Sequence, residues 1–270
     1  MSGRWVRRPS SPADPVAVGP GTNLASVIPM DRSLFRPCVA CTWILLVLLA
    51  AWPVSAAELI TAFGDSITEG LCRGVCHGYF EVLDSMMDAA GRPVDIINGG
   101  LGGELTSQGV GRIDIFLADS PDYSLNNQCP PQTQYNGRRG RIILIMEGAN
   151  DAIHGVSWST TRDNLRFMIQ KSKDAGVIPV LATITPDYKY NMSDCNTGII
   201  GAYNNAIRAL ASEENVVLAD QCNATDQDWQ YLTCEGLHPN YAGDQRISST
   251  WYSVMPPRPA ITGSLLLLLQ

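Results

Sequence analysis

The residues best suited to chemistry fall in four short segments. Gly64-Asp65-Ser66-Ile67-Thr68 begins where the apolar run Leu59 to Phe63 stops, and it offers a serine at a strand end. Asn98-Gly99-Gly100-Leu101-Gly102-Gly103 offers backbone N–H groups and Gly148-Ala149-Asn150-Asp151 a side-chain amide, while Glu235-Gly236-Leu237-His238-Pro239 carries a carboxylate and an imidazole. A serine hydroxyl is a poor nucleophile until an adjacent base takes its proton, which histidine does best near neutral pH. The chain has only His77, His154 and His238. His238 stands out because Glu235, three residues earlier, can accept the hydrogen bond that fixes the ring's tautomer. Acyl transfer also needs donors aimed at the developing oxyanion, each commonly worth about 3 kcal/mol. A glycine such as Gly103 between strand and helix lets a backbone N–H approach a substrate closely. The Asn150 amide and the Ser66 N–H can supply further bonds.

Positioning these groups requires a scaffold, and the pattern after Ala57 supplies one. Short apolar runs predict strands at Leu59 to Phe63, Val94 to Ile97, Ile142 to Met146, Val177 to Ala182 and Val216 to Ala219. Between and after them, helices are predicted at Gly78 to Ala90, Thr106 to Leu117, Thr160 to Ala175, Ile199 to Ser212 and Tyr241 to Tyr252. This alternation is that of an α/β domain with a parallel sheet. Ligands of open parallel sheets bind outside the carboxyl ends of the strands. Ser66, the glycines from 99 to 103, Asn150 and the segment Thr185 to Tyr190 all follow predicted strands and should therefore converge on one edge.

The four segments, in this order, resemble the SGNH hydrolases, also called the GDSL esterase and lipase family, over about Leu59 to Tyr252. The resemblance implies a three-layer α/β/α sandwich with a flavodoxin-like, five-stranded parallel sheet. It also implies Ser66 as nucleophile and oxyanion donor, Asn150 and a glycine of the second block as further donors, and His238 as base. The second block of the family usually runs Gly-x-x-Gly-Asp, so Gly100-Leu101-Gly102-Gly103-Glu104 points to Gly103, with Gly100 as the alternative. One departure is Glu235, where the family usually has Asp three residues before the histidine. Glu235 can reach the ring through another rotamer, or Asp226, Asp228 or a backbone carbonyl can serve instead. The implied activity is that of a secreted, metal- and cofactor-independent serine esterase, and the polar stretch Ser120 to Arg141, which lacks the amphipathic helix of an interfacial lid, favours short-chain or carbohydrate-linked acetyl esters. A lipase or lysophospholipase, an acyltransferase of the same fold and an inactive glycan-binding module are the alternatives.

Other motifs yield to this reading. Cys72-Arg73-Gly74-Val75-Cys76-His77 has three residues between its cysteines, where haem attachment needs two, and no fourth zinc ligand is evident. A dinucleotide fingerprint aligned on Gly100 and Gly102 puts Leu105 where a third glycine is required. The Gly-x-Ser-x-Gly elbow of the ordinary α/β-hydrolases is absent.

The 270 residues, 45% apolar, can hold one large domain, expected over residues 58–255. From Met30 the sequence reads as a secretory leader: Arg32 and Arg36, the apolar stretch Trp43 to Ala51, then Val54-Ser55-Ala56-Ala57. Cleavage is expected near Ala57, with residues 1–29 an upstream extension and Met30 the natural start. Removing the five Arg and two Asp of that segment takes the net charge from −7 to about −10, which argues against nucleic acid and anionic membrane surfaces as partners. The expected partner is an ester substrate, and the expected state a monomer.

Six cysteines remain beyond the leader, and an exported domain with an even number predicts three disulfides. Proximity in sequence favours Cys72 with Cys76, Cys222 with Cys234, and Cys129 with Cys195. The polar stretch Ser120 to Arg141 reads as a long loop. The tail from 256 to 270 ends in Leu265 to Leu269, far short of the roughly 20 apolar residues a membrane span needs.

Overall fold

The computed structural model describes residues 57–74, 76–125, 132–225 and 228–258. The leader ahead of Ala57, Cys129, Asp226 and the tail past Arg258 lie outside the described residues. The chain divides into the units Met1–Val54 and Ser55–Gln270, and every described element belongs to the second.

Five strands, β1 (Glu58–Gly64), β2 (Val94–Gly100), β3 (Ile142–Met146), β4 (Ile178–Ala182) and β5 (Val217–Ala219), form one sheet in the order β2-β1-β3-β4-β5. Every pairing is parallel. This is the flavodoxin-like order that the resemblance implies. The helices are α1 (Ser66–Glu69), α2 (Tyr79–Ala89), α3 (Thr106–Arg112), α4 (Asp114–Leu117), α5 (Ala149–His154), α6 (Trp158–Asp174), α7 (Gly198–Glu213), α8 (Gln221–Thr225) and α9 (Tyr241–Val254).

Side chains of a strand alternate between its faces, and two apolar cores follow from that alternation. Leu59, Phe63, Ile143, Ile145 and Leu181 pack with Ile113 and Phe116, Leu165 and Ile169 of α6, and Ile207 and Leu210 of α7. Ile60, Ala62, Ile142, Leu144 and Val180 pack with Leu83 and Met87 of α2 and with Ile247 and Trp251 of α9. The sheet is thus covered on both faces, as all-parallel sheets require. No helix among the described residues is long and apolar enough to cross a membrane.

Three sequence expectations need correction. The helix expected from Thr106 to Leu117 breaks at Ile113, where Phe116 N–H bonds to the Ile113 carbonyl one residue short of an α-helical partner. Gly109 and Gly111 sit just before the break and weaken the helix there. β2 runs three residues past Ile97 and takes Asn98, Gly99 and Gly100 into the sheet, because each finds a pairing partner on β1. Among the described residues, disulfides join Cys72 to Cys234 and Cys195 to Cys222, with Cα–Cα distances of 6.1 and 5.5 Å. Proximity in sequence misassigned Cys72, Cys195, Cys222 and Cys234, because the fold places loops that follow different strands side by side. Cys76 is disulfide-bonded as well, so neither cysteine of the Cys72-to-His77 motif has a free thiolate.

Trp251 is fully buried and stacks on Tyr79 at 6.4 Å, joining α9 to α2. Trp251→Ala should cost about 3–5 kcal/mol, against a change within about 0.5 kcal/mol for the exposed Tyr252→Ala, read from urea unfolding. Asp65 supplies a pH-dependent term. Burial, helped by Glu104 and Asp151, outweighs its hydrogen bond from Ile67 and pushes its carboxyl from 3.8 up to about 7. Between those values the native state holds a proton that the unfolded chain has released. The stability this group contributes is therefore complete below about 3.8 and is lost as pH rises through about 7. Asp65→Asn should flatten that part of the stability curve, so that the variant gains on the parent protein from pH 4 to 7 in urea titrations; parallel curves would refute the assignment.

Candidate active site

Gly64 ends β1 under tight constraint: a Cβ there would stand 2.2 Å from Thr68 Oγ1 and 2.5 Å from the Met146 carbonyl oxygen. Only glycine lets the chain turn from the strand directly into α1. Asp65 caps that helix, its Oδ1 accepting from Ile67 N–H at 2.9 Å. Ser66 consequently stands at the first helical position, and its N–H donates to no atom of the described residues. Its side chain is 2.9 Å from His238 Nε2.

His238 is presented by a compact turn. Cys234 N–H donates to the His238 carbonyl at 2.9 Å, Gly236 N–H donates to Thr233 Oγ1 at 2.9 Å, and the Gly236 carbonyl accepts from Tyr188 N–H at 2.8 Å. Glu235 Oε1 is hydrogen-bonded to His238 Nδ1, so the longer side chain does reach the ring. Lys189 Nζ lies 3.7 Å from the same carboxylate oxygen. Asp228 instead faces Arg246 at 3.6 Å.

The second and third segments meet across the same edge. Asn150 Nδ2 donates to the Glu104 carbonyl at 3.0 Å, which orients the amide and leaves its second N–H free of that bond. Asp151, beside it, is a bolt. It accepts from Thr106 N–H at 2.8 Å, Thr106 Oγ1 at 2.6 Å and Thr161 Oγ1 at 2.9 Å, tying α3, α5 and α6 together. Within the glycine run, Gly100 N–H donates to Asn98 Oδ1 at 2.9 Å and Gly102 N–H donates to the Glu69 carboxylate. Gly103 N–H donates to no atom of the described residues. Gly103 has φ +74° and open space where a Cβ would point, so its backbone conformation, and not crowding, selects glycine.

Carboxylates are concentrated beneath this edge. Glu104 is buried and paired with Arg112, whose Nε lies 2.8 Å from Glu104 Oε1 and whose guanidinium lies 4.4 Å from the Phe63 ring. Glu147 is buried beside it, and burial, then the charges of Glu104 and Asp65, hold its carboxyl well above the ordinary range. Burial also raises Glu69. One arginine serves several acids, so protonation relieves the excess negative charge.

The structure thus brings Ser66, His238 and Glu235 into one hydrogen-bonded line and places Gly103, Glu104 and Asn150 together. His77 instead bonds Glu81 at 2.8 Å, and His154 closes α5. The sequence reading missed the contributions of Asp151, Glu69, Lys189 and the Cys72–Cys234 bond. Each depends on a partner distant in sequence, and no local spacing signals it.

Residues 62–246 match the model of the GDSL-like lipase/acylhydrolase family. An arylesterase of Vibrio mimicus is 25% identical over 190 residues, covering 68% of this chain and 81% of the relative. Thioesterase 1/protease 1/lysophospholipase L1 of Escherichia coli K12 is 22% identical over 201 residues, covering 73% and 82%. The crystal structure of TesA superposes with a TM-score of 0.58 at 20% identity, over 74% of this chain and 99% of that one. Axe2, an acetylxylan esterase from Geobacillus stearothermophilus, gives 0.57 at 17% identity, over 74% and 95%. With the family model spanning all four segments, the chain belongs to the GDSL-like lipase/acylhydrolase family and is a hydrolase of ester bonds.

Proposed function

We propose that the protein is an exported serine esterase in which Ser66 is the nucleophile, His238 the general base and Glu235 the group that orients the imidazole. The observation that carries this reading is the line Ser66 Oγ to His238 Nε2 at 2.9 Å, continued from Nδ1 to Glu235. His238 takes the Ser66 proton as Oγ attacks the ester carbonyl, then returns it to the leaving alcohol. Water, activated by the same imidazole, hydrolyses the acyl-enzyme.

The negative charge on the tetrahedral intermediate falls to the Ser66 and Gly103 N–H groups and the Asn150 amide. Among the glycines, Gly100 and Gly102 have committed their N–H groups to Asn98 and Glu69, which favours Gly103. The disulfides suit an oxidising compartment and so support export.

The substrate we favour is a short-chain or carbohydrate-linked acetyl ester. The polar composition of residues 120–141 is unlike that of an interfacial lid, and an arylesterase is among the relatives. Tyr188 and Tyr190, both exposed on the loop that bonds the His238 turn, suit contact with a sugar or aryl leaving group.

Hydrolysis of p-nitrophenyl acetate, butyrate and laurate tests the assignment. Ser66→Ala should reduce kcat by at least about 1,000-fold and Asn150→Ala by about 100- to 1,000-fold with little change in KM. Glu235→Ala should cost less than Ser66→Ala. Acetate should be the fastest ester. Full turnover by Ser66→Ala would sink the mechanism, and fastest turnover of laurate would sink the substrate class.

A further inference from the structure

We propose that the Cys72–Cys234 disulfide is a positioning element of the catalytic site, holding the Glu235–His238 turn against the Ser66 segment, so that a thiol reductant lowers turnover while the domain stays folded. The proposal rests on the reading of Ser66, His238 and Glu235 given above. Cys234 immediately precedes Glu235, and Cys72 lies on the segment leaving α1, six residues after Ser66. The bond spans 162 residues of sequence to join the nucleophile's strand-end segment to the base's turn.

Other restraints on the Glu235 carboxylate are weak. Its ion pair with Lys189 is 3.7 Å long, with side chains 36% and 40% exposed, and exposed pairs contribute little. A glutamate also has one more rotatable bond to order than the aspartate usual at this position. Arg73, the neighbour of Cys72, pairs with Asp244 at 3.0 Å and lies 4.9 Å from the Tyr241 ring, both past His238. Cys234 is thus the covalent anchor on the near side of Glu235.

The Cys72–Cys234 and Cys195–Cys222 bonds differ in access. Cys195 and Cys222 are fully buried, whereas Cys234 is exposed. A dithiol attacks as its thiolate on Cys234 Sγ, expelling Cys72 as thiolate. Its second thiol then closes a cyclic disulfide, so the reductant loses two electrons and the cysteine pair ends as two thiols.

The test is steady-state hydrolysis of p-nitrophenyl acetate across pH by the parent enzyme, Cys72→Ser/Cys234→Ser, Cys195→Ser/Cys222→Ser and Ser66→Ala. The Cys72/Cys234 variant should lose about ten- to a hundred-fold in kcat, the scale of small misplacements of catalytic groups. Its KM should hold, and the acid limb of its kcat/KM profile should move, because the carboxylate no longer sits squarely on the imidazole. The Cys195/Cys222 variant should lose Tm but keep kcat and pH profile. Parent-like kcat and pH profile in the Cys72/Cys234 variant would overturn the proposal.

Should that variant fail to fold, the parent enzyme in dithiothreitol answers the same question, with opened cysteines mapped by alkylation and mass spectrometry. Activity should fall as Cys72 and Cys234 become alkylatable, with an unchanged near-UV spectrum, and return on reoxidation. Undiminished activity with both cysteines open overturns the proposal. Full activity in Ser66→Ala would instead remove the site reading on which it rests.

Discussion

β1 lies between β2 and β3, and the three strands end at one level: Gly64 pairs with Gly100 on one side and with Met146 on the other. Everything at the site depends on that shared register. A chain that leaves three adjacent strands at one height must place its next residues side by side, and those residues are Ser66, the Leu101 to Glu104 loop and the Gly148 to Asp151 turn. A one-residue slip of β2 would move each of its side chains to the other face, exchanging its apolar residues between the two cores and carrying Gly103 away from Ser66. The apolar alternation that builds the two cores therefore also sets the distance between Ser66 and the Gly103 and Asn150 donors proposed for the oxyanion.

Holding those loops still requires polar groups beneath them, and these are costly to bury. Asp65, Glu104, Glu147 and Asp151 are all buried, with Arg112 the cation paired within the group. Asp151 meets its need through three hydrogen bonds to hydroxyl and amide donors, and Glu104 through a guanidinium. Asp65 and Glu147 escape their charge by retaining protons. Such networks fix geometry more than they add stability. A site that needs donors aimed within a few tenths of an ångström gains from rigid supports even when an apolar filling would be as stable.

Much of this was legible in the sequence, for reasons that differ by element. Ile142 to Met146 was placed to the residue because five consecutive apolar side chains between a glycine-rich loop and a polar turn have one reading in a parallel sheet. Ser66, Asn150 and His238 were legible because each sits in a segment whose neighbours have their own jobs: Gly64 removes a clash, Asp65 caps a helix, Asn240 caps the next. The end of β2 was not, since Asn98, Gly99 and Gly100 have poor strand propensity and are held by pairing with β1. The short helices α1, α5 and α8 were missed because four to six residues carry no usable period. Disulfide pairing was misread because linear distance says little about which loops share a sheet edge.

Glutamate at position 235 ties these threads together. Its side chain is 36% exposed, so water screens its charge and weakens purely electrostatic help to the imidazolium. What it can still do is fix the ring: the bond to Nδ1 directs Nε2 toward Ser66, and an imidazole so directed needs no reorientation as the proton moves. Orientation, unlike charge, survives exposure only where the backbone carrying the carboxylate is held. On this turn it is held on every side, by the Thr233–Pro239 bridge, the bond from Tyr188 N–H to the Gly236 carbonyl and the disulfide at Cys234. A longer, wetter acid is thereby compatible with the same chemistry, with the precision a short buried aspartate draws from its own stiffness supplied here by the turn.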